Sequence, residues 1–100
     1  MVRHVILWQL KDELSAEEKC AAKKAIKEGL EALKGVVPEI VEINVHVNGL
    51  ESSNADIMLD SVFENEEGLK AYAVNPNHVA VAKGTVVPAV KQRVCIDFEF

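Results

Sequence analysis

Nine residues near the N-terminus, "VRHVILWQL" at positions 2–10, constrain the fold most, because both of their alternating faces are largely apolar. The run is rich in β-branched and aromatic types and reads as a mostly buried strand. One face carries Val2, His4, Ile6, Trp8 and Leu10; the other carries Arg3, Val5, Leu7 and Gln9. A strand that is apolar on both sides needs cover on both sides, so something packs on each face of its sheet.

The remaining segments follow from periodicity. "LSAEEKCAAKKAIKEGLEALKG" opens with Ser15 and Glu18 in capping-box spacing and closes on Gly35, the residue type that ends helices. Between them Ala22, Ile26, Leu30 and Leu33 form one apolar stripe. In "IVEINVHVN" after Pro38, Val41, Ile43, Val45 and Val47 alternate with polar residues, the period of a half-buried strand. Residues 56–63, "DIMLDSVF", predict a third strand. Asn65 can cap a short helix through "EEGLKAYAV", which must end near Asn75 because the residue before a proline avoids helical geometry. "HVAVAKGTVVPAVKQ" predicts irregular or short helical turns. "RVCIDFEF" closes the chain as a strand with Val94, Ile96, Phe98 and Phe100 on one face.

The order β-α-β-β-α-β predicts an α+β, ferredoxin-like antiparallel sheet in a single domain spanning residues 1–100. In that fold the helices cover one sheet face. The first and last strands still offer apolar residues to the other, and a sheet-to-sheet homodimer would cover them.

Charge and composition narrow the partners. The net charge is −5 with the two signs interspersed, and no Lys/Arg stripe with interleaved aromatics exists, so nucleic acid is not expected as a partner. The apolar run at the N-terminus is too short for a membrane span or a signal peptide, so no membrane association is expected. Cys20 and Cys95 have neither metal spacing nor the density of a secreted disulfide scaffold; they read as buried thiols, and a cytoplasmic location follows. The three histidines lack zinc-type spacing, His46 alternates onto a polar strand face, and no P-loop or dinucleotide fingerprint appears. Neither a metal nor a cofactor is expected.

Four residues carry candidate chemistry. In "AYAVNPNHVAV" the chain's one tyrosine, Tyr72, precedes His78 by six residues, with Asn75-Pro76 between them. On an unbroken helix six residues turn about 600°, leaving the side chains roughly 120° apart, so the two share a pocket only if the chain bends. His78 reads either as a structural residue bonded to a carbonyl or as a proton carrier suited to neutral pH. Tyr72 reads either as a core residue with a surface hydroxyl or as a donor to a substrate oxygen. His4, on an apolar strand face, needs a partner. The first and last strands are antiparallel neighbours in this fold, which brings residue 4 near Asp97. Arg93 is about 13 Å along the strand from Asp97 and cannot readily serve it. An Asp97–histidine bond, with either His4 or His78, reads as a structural clamp or as the orientation of a base.

"RHVILWQLKDELSAEE", "FENEEGLKAYAVNPNHVAVA" and "VCIDFEF" together resemble the stress-responsive A/B barrel (Dabb) family over essentially the whole chain. The resemblance implies ferredoxin-like chains that dimerise through their sheets into a barrel. In its olivetolic acid cyclase-like plant branch, a cofactor-free polyketide cyclase, residues matching Tyr72 and His78 serve catalysis, with counterparts of His4 and Asp97 nearby. A further tyrosine of that pocket falls near Ile26 here. The candidate site is therefore Tyr72 and His78 as catalytic pair, with His4, Asp97, Ile6, Trp8, Ile26 and Leu59 lining or orienting the pocket.

Three functions are compatible with these features. One is a homodimer with a small-molecule pocket between helices and sheet, performing cofactor-free proton abstraction as a lyase or cyclase. Another is a non-catalytic, stress-related binding or structural protein. The third is a cofactor-free monooxygenase of the dimeric α+β barrel type.

Overall fold

Strand pairing puts the first strand inside the sheet, hydrogen-bonded on both edges. The computed structural model describes residues 1–100 and contains β1 (Val2–Leu10), α1 (Ala16–Glu31), β2 (Ile40–His46), β3 (Ile57–Phe63), α2 (Glu66–Val74), α3 (Pro76–Val81), a π-helical turn (Ala82–Val86) and β4 (Val90–Glu99). The four strands form one antiparallel sheet in the order β2-β3-β1-β4. Register sets His4 opposite Ser61 on β3 and opposite Asp97 on β4.

The helices lie on the sheet face that carries Ile6, Trp8, Leu10, Ile43, Val45, Ile57 and Leu59. Ile26 and Leu30 of α1, Tyr72 of α2 and Val86 of the π turn complete that core. Ile26 is fully buried, so truncating it to alanine would cost about 2–5 kcal/mol. Gly29 allows α3 to sit close to α1; a Cβ there would lie 3.1 Å from a Val81 methyl carbon. No helix is long and apolar enough to cross a membrane.

Several local features differ from the sequence reading, each for a physical reason. Helix α1 carries the expected Ser15–Glu18 capping box but ends at Glu31; Gly35 serves the following turn, at φ 86°. A register shift between Ile40 and Glu42 turns Val41 outward and buries Ile40 in its place. Strand β4 begins three residues before Arg93 because it follows β1 down to the Leu10–Val90 pair. Cys20 and Cys95 are exposed rather than buried. Cys20 falls off the apolar stripe of α1, and Cys95 lies on the edge strand β4, where the helix-facing side is left open.

Candidate functional site

The bend that the Tyr72–His78 spacing requires is built by one residue. Asn75 is extended (φ −62°, ψ 129°), ending α2 and starting α3. Its side-chain oxygen accepts a 2.9 Å bond from the Asn77 amide, and Pro76 occupies the first turn, where its missing N–H costs nothing. The redirected chain lays His78 over Tyr72, with ring centroids 4.1 Å apart and planes inclined by 35°. Tyr72 continues the aromatic cluster to Phe63 at 5.0 Å and to His4 at 6.2 Å.

The rings of His4, Tyr72 and His78 wall a cavity of about 200 Å³ between helices and sheet. Its floor is Ile6, Trp8 and Leu59, its far wall Leu30 and Val86, and its polar groups are His4, Tyr72, His78 and Arg93. A shallower cleft of about 500 Å³ lies outside it between α2 and the end of β4, sharing Leu69 and Ala73 with the inner cavity. The outer cleft is larger, but Tyr72 and His78 line only the inner one, which is therefore the candidate site.

The Tyr72 hydroxyl is buried and has no hydrogen-bond partner in the protein. Burial raises its pKa to about 12, against an opposing pull from Arg93, so the phenol stays protonated and keeps its O–H available to donate. Burial likewise lowers the pKa of His78, with the neighbouring His4 and Arg93 adding to it and the bond to the Ala73 carbonyl opposing it. His78 is therefore neutral at pH 7. Its Nδ1 lies 3.3 Å from the Ala73 carbonyl oxygen. When Nδ1–H donates there, Nε2 keeps a free lone pair. A neutral acceptor thus stands beside a neutral donor at the edge of an apolar space.

His4 is buried, and its Nδ1 bonds the Asp97 carboxylate across the β1–β4 ladder. The Cys95 sulfur is 3.7 Å from the same Nδ1 and 3.5 Å from the Asp97 oxygen. Burial and the Asp97 charge raise the Cys95 pKa, so the thiol is not activated. The donor atoms of His4, Cys95 and Asp97 lie within 4.8 Å of one another and could hold a metal ion. Register across two strands assembles this set, which the spacing of the histidines does not reveal.

Of the residues singled out from sequence, Tyr72, His78, His4, Ile6, Trp8 and Leu59 meet at the inner cavity. Asp97 lies in the outer cleft and reaches the cavity only through His4. Ile26 does not line the cavity. It is sealed in the core, and Leu30, one helical turn later, takes the wall position. Arg93 was missed, although a signal existed: counting by twos from Asp97 puts it on the helix-facing side of β4, opposite Trp8.

A four-stranded antiparallel sheet backed by helices on one face defines a ferredoxin-like α+β protein. More particularly, the chain belongs to the stress responsive A/B barrel domain (Dabb) family, whose model matches residues 2–100. No curated protein matches it. It is similar to a solved dimeric protein of unknown function and ferredoxin-like fold from Bacteroides fragilis, at 35% identity and a TM-score of 0.93, covering 99% of this chain and 95% of that one. A dimeric ferredoxin-like protein from Thermobifida fusca is 23% identical with a TM-score of 0.82, over 99% and 90% of the two chains. The hydroxynitrile lyase of Passiflora edulis shares the fold at 19% identity and a TM-score of 0.72, over 97% and 90%.

Proposed function

We propose that the chain acts as a homodimer whose inner cavity binds a small carbonyl compound and abstracts a proton beside the carbonyl, without a cofactor, as a lyase or cyclase does. The observation that carries this reading is the stacked Tyr72–His78 pair, with a buried phenol hydroxyl that no protein group satisfies. Buried polar groups are rarely left unpaired, and each exception calls for a reason. A ligand oxygen supplies one.

In the proposed step the C–H bond next to the carbonyl breaks and its proton goes to Nε2 of His78. The electron pair moves onto the carbonyl oxygen as an enolate, which the Tyr72 hydroxyl holds by donation. The enolate carbon then attacks a second carbonyl of the same molecule, or a C–C bond breaks in the reverse direction, and His78 returns the proton. His4, fixed by Asp97, positions the Tyr72 side of the wall. The cavity is smaller than the usual 300–1,000 Å³ of ligand pockets, which favours a compact substrate. The Passiflora neighbour is a hydroxynitrile lyase, so a lyase occurs on this architecture, though fold alone assigns no reaction to this chain.

The dimer forms through the sheet face away from the helices. Leu7, Val94, Ile96, Phe98 and Phe100 are exposed there, Ile96 at 61%, forming an apolar patch on β1 and β4. Arg3 on the same face is already neutralised by Asp60, through bonds of 2.9 and 3.0 Å, and covers the Phe100 ring. Burying this face therefore strands no unpaired arginine. The neighbours from Bacteroides fragilis and Thermobifida fusca are described as dimeric, in keeping with this reading.

Proton abstraction is read by NMR as deuterium exchange into a panel of small ketones and oxo acids in D₂O. The wild-type protein is expected to accelerate exchange for at least one compound, and His78→Asn to abolish the acceleration. Equal rates for the two proteins across the panel would remove the catalytic proposal.

A further inference from the structure

Arg93 is the one side chain around the inner cavity whose charge is permanent, and no carboxylate lines that cavity. This is unexpected in a chain of net charge −5. The ion pairs of the protein are Arg3–Asp60, His4–Asp97, Lys27–Glu31 and Lys91–Asp12, so Arg93 has no acidic partner. Asp97, on the same face of β4, is about 13 Å further along the strand and already bonded to His4. The register of β4 against β1 holds Arg93 opposite the buried Trp8, so its strand position is fixed by the ladder rather than by a loop.

We infer that the cavity is built for an anionic substrate, a compact oxo acid whose carboxylate pairs with the Arg93 guanidinium while its carbonyl meets Tyr72 and His78. The inference rests on the proposed cavity reading and specifies its substrate class. A guanidinium presents paired N–H donors that match the two oxygens of a carboxylate, and such charge-assisted bonds are about twice as strong as neutral ones. With one end of the substrate fixed by Arg93, the proton next to its carbonyl can be offered to His78 in a single orientation. The positive charge also favours the enolate over the neutral ketone, adding to the Tyr72 bond. The apolar lining (Trp8, Leu30, Leu59, Val86) suits a short hydrocarbon body between the two polar ends.

The test uses an isosteric pair: 4-methyl-2-oxopentanoate and 5-methylhexane-2,3-dione, in which a methyl group replaces the carboxylate oxygen anion. Binding to the 100-residue chain is measured by calorimetry, and by shifts of the Tyr72 and His78 ring resonances. The acid is expected to bind at least tenfold more tightly than the dione. Arg93→Leu should bring the acid-to-dione affinity ratio down to about one, and Arg93→Lys should retain part of the preference. Because Arg93 is exposed on an edge strand, both variants are expected to fold, which unchanged far-ultraviolet circular dichroism and melting temperature would verify. If acid and dione bind equally while both move the ring resonances, the Arg93 assignment is wrong and the cavity reading stands. If neither compound moves those resonances, the cavity reading fails and the oxo-acid inference falls with it.

Discussion

Replacing Tyr72 with phenylalanine removes one oxygen from the core and leaves the ring in place. In most proteins that change costs stability, because the hydroxyl is bonded. Here the hydroxyl is buried without a protein partner, so the folded state carries the desolvation cost of an unpaired group, about 1–3 kcal/mol. Tyr72→Phe should therefore raise unfolding stability by about 1 kcal/mol or more. For a domain of this size each kcal/mol corresponds to a shift of roughly 4–8 °C in melting temperature. Urea and thermal unfolding of wild type and variant at matched protein concentration would measure it, since the stability of the proposed dimer depends on concentration. Tyr72→Ala is the control and should lose about 3–5 kcal/mol through the cavity it opens. The same Tyr72→Phe protein should lose about 10²–10³-fold in proton-exchange rate, because the enolate loses its donor. A Tyr72→Phe variant that is less stable than wild type by 1 kcal/mol or more would refute the reasoning. It would mean that the hydroxyl is satisfied within the fold and is not held in reserve for a ligand.

Three further outcomes are expected. Burial lowers the His78 pKa, so on acidification the unfolded chain takes up that proton before the folded one does. Its contribution to stability is complete above the unfolded value near pH 6.5 and is lost as the pH falls through the lowered folded value. Wild type should thus lose more stability than His78→Gln between about pH 7.5 and 5.5 in denaturant titrations, and equal losses would contradict the assignment. Asn75→Ala removes the cap of α3 and should cost about 1 kcal/mol while loosening the Tyr72–His78 contact, seen as a reduced ring-current shift on His78. Ile96→Glu places a charge in the apolar sheet face and should halve the mass measured by light scattering; an unchanged dimer would move the interface elsewhere.

Much of the site was legible because it is written in local chemistry. The Asn-Pro step marks a helix break in any context, since the proline ring restricts the residue before it, and that break is what stacks His78 on Tyr72. Topology alone brought residue 4 beside Asp97, because the start of the first strand must lie beside the end of the last; that His4 rather than His78 takes the bond was decided by the structure. Other features depended on register and packing that no local pattern encodes. The alternation in β2 put Val41 inside until a bulge shifted the count and buried Ile40. Ile26 and Leu30 share one helix stripe, and only the height of α1 above the sheet decides which of them reaches the cavity.

The order of elements, the two-sided sheet and the bend between Tyr72 and His78 were fixed by the sequence itself, because period, caps and proline sterics act over a few residues. Tertiary structure alone decided how the polar groups combine. It left the Tyr72 hydroxyl without a partner, gathered Cys95 against His4 and Asp97, and set Arg93 at an apolar cavity with no carboxylate to neutralise it. Each of these depends on which residues from distant parts of the chain end up within a few ångströms, and that is settled by strand register and helix placement rather than by any residue's own preference.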